Sequence, residues 1–138
     1  MTFPYTLPGS VTPREPVDVA RLVKDWLKIE LASRFPELKV RLELPSDWAV
    51  GSGPVLVVAD DGGPLDMWPV ATSPTIRIVS WTSGRDTRYV YAALGLVLSK
   101  RIPGIAAVLP GTGVVEARDS KTRGDLASFT ARTRARTQ

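Results

Sequence analysis

The chain has 138 residues and a mass of 15.0 kDa, room for one domain and not for a second of full size. Hydrophobic residues make up 43% and charged residues 23%, ordinary globular usage. With neither cysteine nor histidine present, disulfides, thiolate metal sites, cysteine nucleophiles and imidazole chemistry are excluded.

The 18 basic and 14 acidic side chains leave a net charge of +4, and its placement is uneven. Residues 1–117 balance, whereas residues 118–138 hold Arg118, Lys121, Arg123, Arg132, Arg134 and Arg136 against Asp119 and Asp125. This is the pattern of a basic tail on a neutral body, suited to nucleic acid, an acidic partner or plain solvent. No stretch is apolar enough to span a membrane, and Pro4, Pro8, Pro13 and Pro16 interrupt any leader pattern, so the chain is expected to be soluble and unexported.

In chain order, the proline-rich residues 1–16 read as an extended arm. Residues 17–35 form an amphipathic helix with Val19, Leu22, Val23, Trp26 and Leu27 on one face, ended by the restriction that Pro36 places on Phe35. Glu30 projects from the apolar stripe, which means either a frayed last turn or a partner for the carboxylate. Leu38, Val40, Leu42 and Leu44 alternate with Lys39, Arg41 and Glu43, as in a strand with one wet face. The unbroken apolar run Val55 to Ala59 predicts a central strand covered on both faces. Residues 61–74 read as a loop carrying Met67 and Trp68, two apolar side chains in need of a home, and residues 75–81 as a third strand.

Ser83 and Asp86 resemble a capping box for a second helix over residues 84–101. Val90, Ala93, Leu94 and Val97 make one apolar stripe on it, and Tyr89, Ala92 and Leu96 another nearly opposite. A helix apolar nearly all round must be covered nearly all round, either by its own chain or by a neighbouring subunit. Ile102-Pro103-Gly104 stops it. Residues 114–118 and 126–133 read as two further strands, and Arg132, Arg134 and Arg136 keep the period of two, so an extended tail presents all three on one side.

The expected class is α+β: a mixed or antiparallel sheet of about five strands with two helices packed on it. The expected division is an arm over residues 1–16, a core over 17–131 and a basic tail over 132–138.

Few residues suggest chemistry. Pro110-Gly111-Thr112-Gly113 lacks the Gly-Lys-Ser/Thr that opens the helix of a P-loop. Asp60, Asp61 and Asp66 suit a hard cation by type but lack EF-hand spacing, so a solvated acidic turn is the plainer reading. Ser99 and Lys100 are adjacent on a helix and diverge, so they form no dyad. No catalytic constellation, cofactor or metal site is expected, and the chain is read as a non-enzyme.

Several strings carry a family resemblance: Ser80-Trp81-Thr82-Ser83-Gly84-Arg85-Asp86-Thr87-Arg88, Val90-Tyr91-Ala92, Arg101-Ile102-Pro103-Gly104-Ile105, Pro110 through Asp119, and Leu126-Ala127-Ser128-Phe129-Thr130. They resemble the tail terminator proteins of long-tailed phages that infect actinobacteria, mycobacteriophages especially, over about the last 60 residues. The resemblance implies a small α/β subunit, similar in fold to the tail terminator of lambdoid phages, that closes into a hexameric ring on the head-proximal end of the tail tube. It implies the tail tube protein and a head-to-tail connector or stopper as partners, with the tape measure protein as a further one. It also implies a place at the neck of the virion after assembly in the host cytoplasm, genome DNA passing through the ring without specific binding, and no membrane.

On this reading Arg85, Asp86, Arg88, Tyr89, Ala92 and Leu96 are the candidate subunit interface, with capping and solvation as the plain alternative for the three charges. Met67 and Trp68 are the candidate partner-binding loop, and Arg132, Arg134 and Arg136 the candidate channel or partner contact. The alternatives are another neck component, such as a stopper or head-completion protein, and a nucleic-acid-binding module using the basic C-terminus.

Overall fold

A computed structural model describes residues 13–138; the first twelve positions of the expected arm lie outside the described residues. The first helix, α1, runs Val19–Leu31. The Asp18 side chain caps it by accepting from the Arg21 N–H at 3.1 Å, which satisfies one of the helix's free amide donors. Val19, Ala20, Val23, Leu27 and Leu31 are buried on its inner face. Glu30 finds a partner: the Lys100 ammonium lies 3.0 Å away.

The strands are β1 (Lys39–Arg41), β2 (Val55–Asp60), β3 (Ala71–Thr72), β4 (Thr75–Thr82), β5 (Ala107–Pro110), β6 (Val115–Arg118) and β7 (Asp125–Arg136), with the second helix, α2 (Arg88–Ser99), between β4 and β5. The seven segments form five ribs. Along one edge of β7, β3 pairs with Ala135 and Arg136 and β4 with residues 125–132. Along the other, β5 pairs with residues 131–134 and β6 with residues 125–128. β2 continues the sheet antiparallel to β4, and β1 joins it in parallel. The class is α+β with a mixed sheet, as expected, and the extra segments arise because two ribs are each interrupted where they pass along β7.

Both helices lie on one face of the sheet, α1 over β1 and β2 and α2 over β4, β5 and β7. Leu56, Val58, Ile76, Ile78, Phe129 and Ala131 form the floor they pack on. Each large side chain taken fully out of water there contributes about 1.5–3 kcal/mol. The other face has a smaller cluster in which Trp48, from the loop between β1 and β2, covers Val55 and Val57 and meets Trp81 edge to face at 5.6 Å. β2 is therefore covered on both faces, as its unbroken apolar run predicted.

Several boundaries differ from the sequence reading, α1 ending at Leu31 instead of 35 among them. β1 keeps the predicted alternation, with Val40 buried, but has only three paired residues: Lys39 meets Val55, the first residue of β2, and after Arg41 the chain leaves β2, which runs on to Asp60. α2 starts at Arg88 rather than residue 84: Gly84 and Arg85 both have positive φ, 78° and 57°, a conformation that ends or precedes a helix and does not continue one. The capping box does not form, since Thr87 is the N-cap and makes no side-chain cap bond. The expected basic tail at residues 132–138 is largely the second half of β7, the longest strand, held by β5 on one edge through Arg134 and by β3 on the other at Ala135 and Arg136. Beyond it, Gln138 exchanges two backbone hydrogen bonds with Glu15, of 2.9 and 3.0 Å.

Candidate interaction surfaces

The first surface is the turn into α2. The Asp86 carboxylate accepts from the Arg88 backbone N–H at 3.1 Å and grips the Arg88 guanidinium through two bonds of 2.9 and 2.7 Å. The guanidinium holds the Asp86 carboxyl below its ordinary value, mainly through those side-chain bonds. Arg88 is correspondingly raised. Tyr89 turns inward and is 4% exposed. Its hydroxyl donates to Glu37 at 2.7 Å, and its ring meets Phe35 edge to face at 4.9 Å. Burial and the neighbouring Glu37 push the Tyr89 phenol up to about 12.

Arg85 donates its backbone N–H to Asp125 at 2.9 Å, and its guanidinium lies 3.4 Å from Glu116. The three charges expected between subunits are thus engaged within the chain, Asp86 with Arg88 and Arg85 with Glu116. Around them runs an open groove of about 900 Å³, walled by the 83–87 turn, by Glu116 to Arg118 and by the start of β7, with Val50 at its rim. Arg118 and Arg123 also face it, and Arg123 is in the left-handed region at φ 60°. Three of the five strings that carry the family resemblance, those over residues 80–88, 110–119 and 126–130, contribute to its walls.

The second surface is the outward face of α2. Tyr89, Val90, Ala93 and Val97 are buried, while Ala92 and Leu96 are half-buried against the main core. The face left open is Tyr91, Gly95 and Leu98, with Tyr91 55% and Leu98 40% exposed. The apolar surplus expected on this helix is present but lies on a different stripe from Tyr89, Ala92 and Leu96. Tyr89 turns inward with Val90, Ala93 and Val97 and packs against Phe35.

The third surface is the loop before β3. Met67 is half-buried, whereas Leu65, Trp68 and Val70 are exposed, Leu65 at 76%. The loop is held at its base: Thr137 donates its backbone N–H to the Val70 carbonyl at 3.1 Å, and its hydroxyl donates to the Pro69 carbonyl. Sequence reasoning singled out Met67 and Trp68 but not Leu65 and Val70, which flank them.

The acidic turn beside this loop has ordinary partners. Asp60 accepts from the Gly62 N–H at 2.7 Å, and Asp61 pairs with Arg77 at 2.9 Å. Among the described residues no group of three acidic side chains is arranged to hold a metal ion.

The fourth surface is the sheet face away from the helices. Ala131, Thr133, Ala135 and Thr137 turn inward and are buried, so Arg132, Arg134 and Arg136 all project outward, on one side as the period of two required. Arg132 donates through Nε to the Pro110 carbonyl at 3.3 Å. None of the three forms an ion pair with a described residue, and residues 1–12 contain no carboxylate. No helix among the described residues is long and apolar enough to cross a membrane. No protein-family model and no curated protein matches the chain.

Proposed function

We propose that the chain is a tail terminator of a long-tailed phage: a structural protein that forms a ring on the head-proximal end of the tail tube, halts tube growth and presents the surface to which the head connector docks. The observation that carries this reading is the outward face of α2. A helix whose inner side is already filled still offers Tyr91, Gly95 and Leu98 to the outside, and an apolar stripe on a small domain is a surface for another chain. A closed ring joins two unlike patches of each subunit, and the Leu65, Trp68 and Val70 loop supplies an apolar patch unlike α2. The family resemblance of the sequence strings supports the same assignment and implies six as the ring order.

The test is light scattering and native mass spectrometry of the purified protein, with electron microscopy of tails. Six-membered rings, free or on tail ends, are the expected result. Monomer alone at high concentration, together with bare tail ends, refutes the reading. A protein found on heads and missing from headless tails would instead be a stopper or head-completion component.

A further inference from the structure

We propose that the helix-free face of the sheet binds the phosphate backbone of nucleic acid, without reading its sequence, along the row Arg132, Arg134 and Arg136. This goes beyond ring formation and does not depend on it.

The row is rigid. Along the row β7 is paired with β5 through Arg134 on one edge, and with β4 through Arg132 and β3 at Ala135 and Arg136 on the other, and the residues between the arginines are buried. Alternate residues of a strand lie about 6.7 Å apart, so the three guanidinium stems leave the sheet at a regular repeat. Arg77 extends the patch sideways: it sits opposite Thr130 in the register, one step from Arg132 on the same face. Lys39 and Arg41 project from this face at the far rib, since they pair with Val55 and Val57.

Among the described residues, the one ion pair made by these six side chains is Arg77 with Asp61, so the row itself is uncompensated there. Guanidinium forks suit phosphate oxygens, and a regular cation repeat suits a polymer of regularly spaced anions. The exposed Leu109, opposite Arg132 on this face, is an apolar anchor that an acidic protein would use instead, and competition with polyglutamate separates the two.

The experiment is fluorescence anisotropy with a dye-labelled single strand of about 30 nucleotides and a duplex of the same length, at 50 and 200 mM salt. Three phosphate contacts give a slope of about −2.7 in log affinity against log salt, so affinity for the duplex is expected to fall at least about 40-fold over that range. R132Q/R134Q/R136Q is expected to lose the binding, and R21Q/K28Q/R34Q, which removes equal charge around α1, to keep it. Arg134→Gln alone, at a side chain without a hydrogen-bond partner among the described residues, serves if the triple variant does not fold.

No binding at 50 mM salt overturns the proposal. So does binding that survives loss of the row, binding lost equally in the α1 variant, or displacement of DNA by polyglutamate at equal charge. A chain that binds DNA yet stays monomeric upholds this proposal while refuting the ring, and rings that do not bind DNA do the reverse.

Discussion

Tyr89 donates its phenol proton to the Glu37 carboxylate across 2.7 Å, tying the first turn of α2 to the segment between α1 and β1. The bond favours the neutral phenol and the charged carboxylate together. Glu37 is accordingly held below its ordinary 4.5, chiefly by this bond, and Tyr89 is pushed up to about 12 from 10.0.

A phenol whose folded pKa is raised adds stability that is complete below the unfolded value and is lost as pH rises through the folded one. Stability to urea is therefore expected to fall between about pH 10 and 12. Absorbance titration should show one tyrosine ionising near the upper end of that window, and Tyr89→Phe should remove that step. A Tyr89→Phe protein with an unchanged alkaline titration would show that another tyrosine is responsible.

The acid limb has the opposite sign. Asp86 is lowered by Arg88, Asp119 by the hydroxyl and amide of Thr122, and Glu37 by Tyr89. Each contributes stability that is present above its ordinary value of 3.8 or 4.5 and lost as pH falls through its lower folded one. Asp86→Ala removes both the amide acceptor at the start of α2 and the hold on Arg88. It is expected to cost about 1 kcal/mol and a few degrees of melting temperature, with a shallower loss of stability in acid. Equal melting curves at pH 7 would refute the role.

Phe129 sits at the centre of the sheet, 1% exposed, in register with Ile78, which is itself in register with Val58. Phe129→Ala leaves a cavity in the core beneath α2 and is expected to cost about 3–5 kcal/mol, read as a lower urea midpoint.

Gly124 presses on the second cluster. A Cβ there would lie 2.6 Å from Cζ3 of Trp48 and 2.7 Å from Cη2, so Gly124→Ala must displace the indole that covers Val55 and Val57. The expected cost is about 1–3 kcal/mol, with a changed tryptophan emission spectrum. An unchanged spectrum would mean that Trp48 is not seated against Gly124.

Leu98→Glu places a charge on the open face of α2 and leaves the buried stripe of that helix untouched. The expected outcome is a folded protein with the far-UV dichroism of the parent and no ring by light scattering. Rings of normal size from this variant would move the subunit contact elsewhere.

The elements themselves were legible because burial follows simple periods in this sequence. β2 announced its two-sided cover in five consecutive apolar residues, and α1 its inner face at helical spacing. Three features were not legible, each for a local reason. α2 is apolar on so many sides that its pattern does not say which stripe turns inward. The role of Trp48 is hidden in the sequence because its contacts, Val55, Val57 and Trp81, belong to strands that only the fold brings together. The end of β7 reads as a tail because its buried positions are Ala131, Thr133 and Ala135, small or hydroxylated side chains that give a weak hydrophobic signal. At Thr133 the hydroxyl is satisfied by the Pro74 carbonyl at 2.6 Å, which lets it face inward. The signal that was available is the unbroken alternation through Thr137.

β7 follows every other described element in the chain and yet joins four of them, β3, β4, β5 and β6. Until residues 125–136 are available, the earlier ribs have open edges and uncovered apolar flanks. Chains that lack them are incomplete sheets, natural clients for holding chaperones and for proteolysis, so truncation before β7 should yield no partly folded protein.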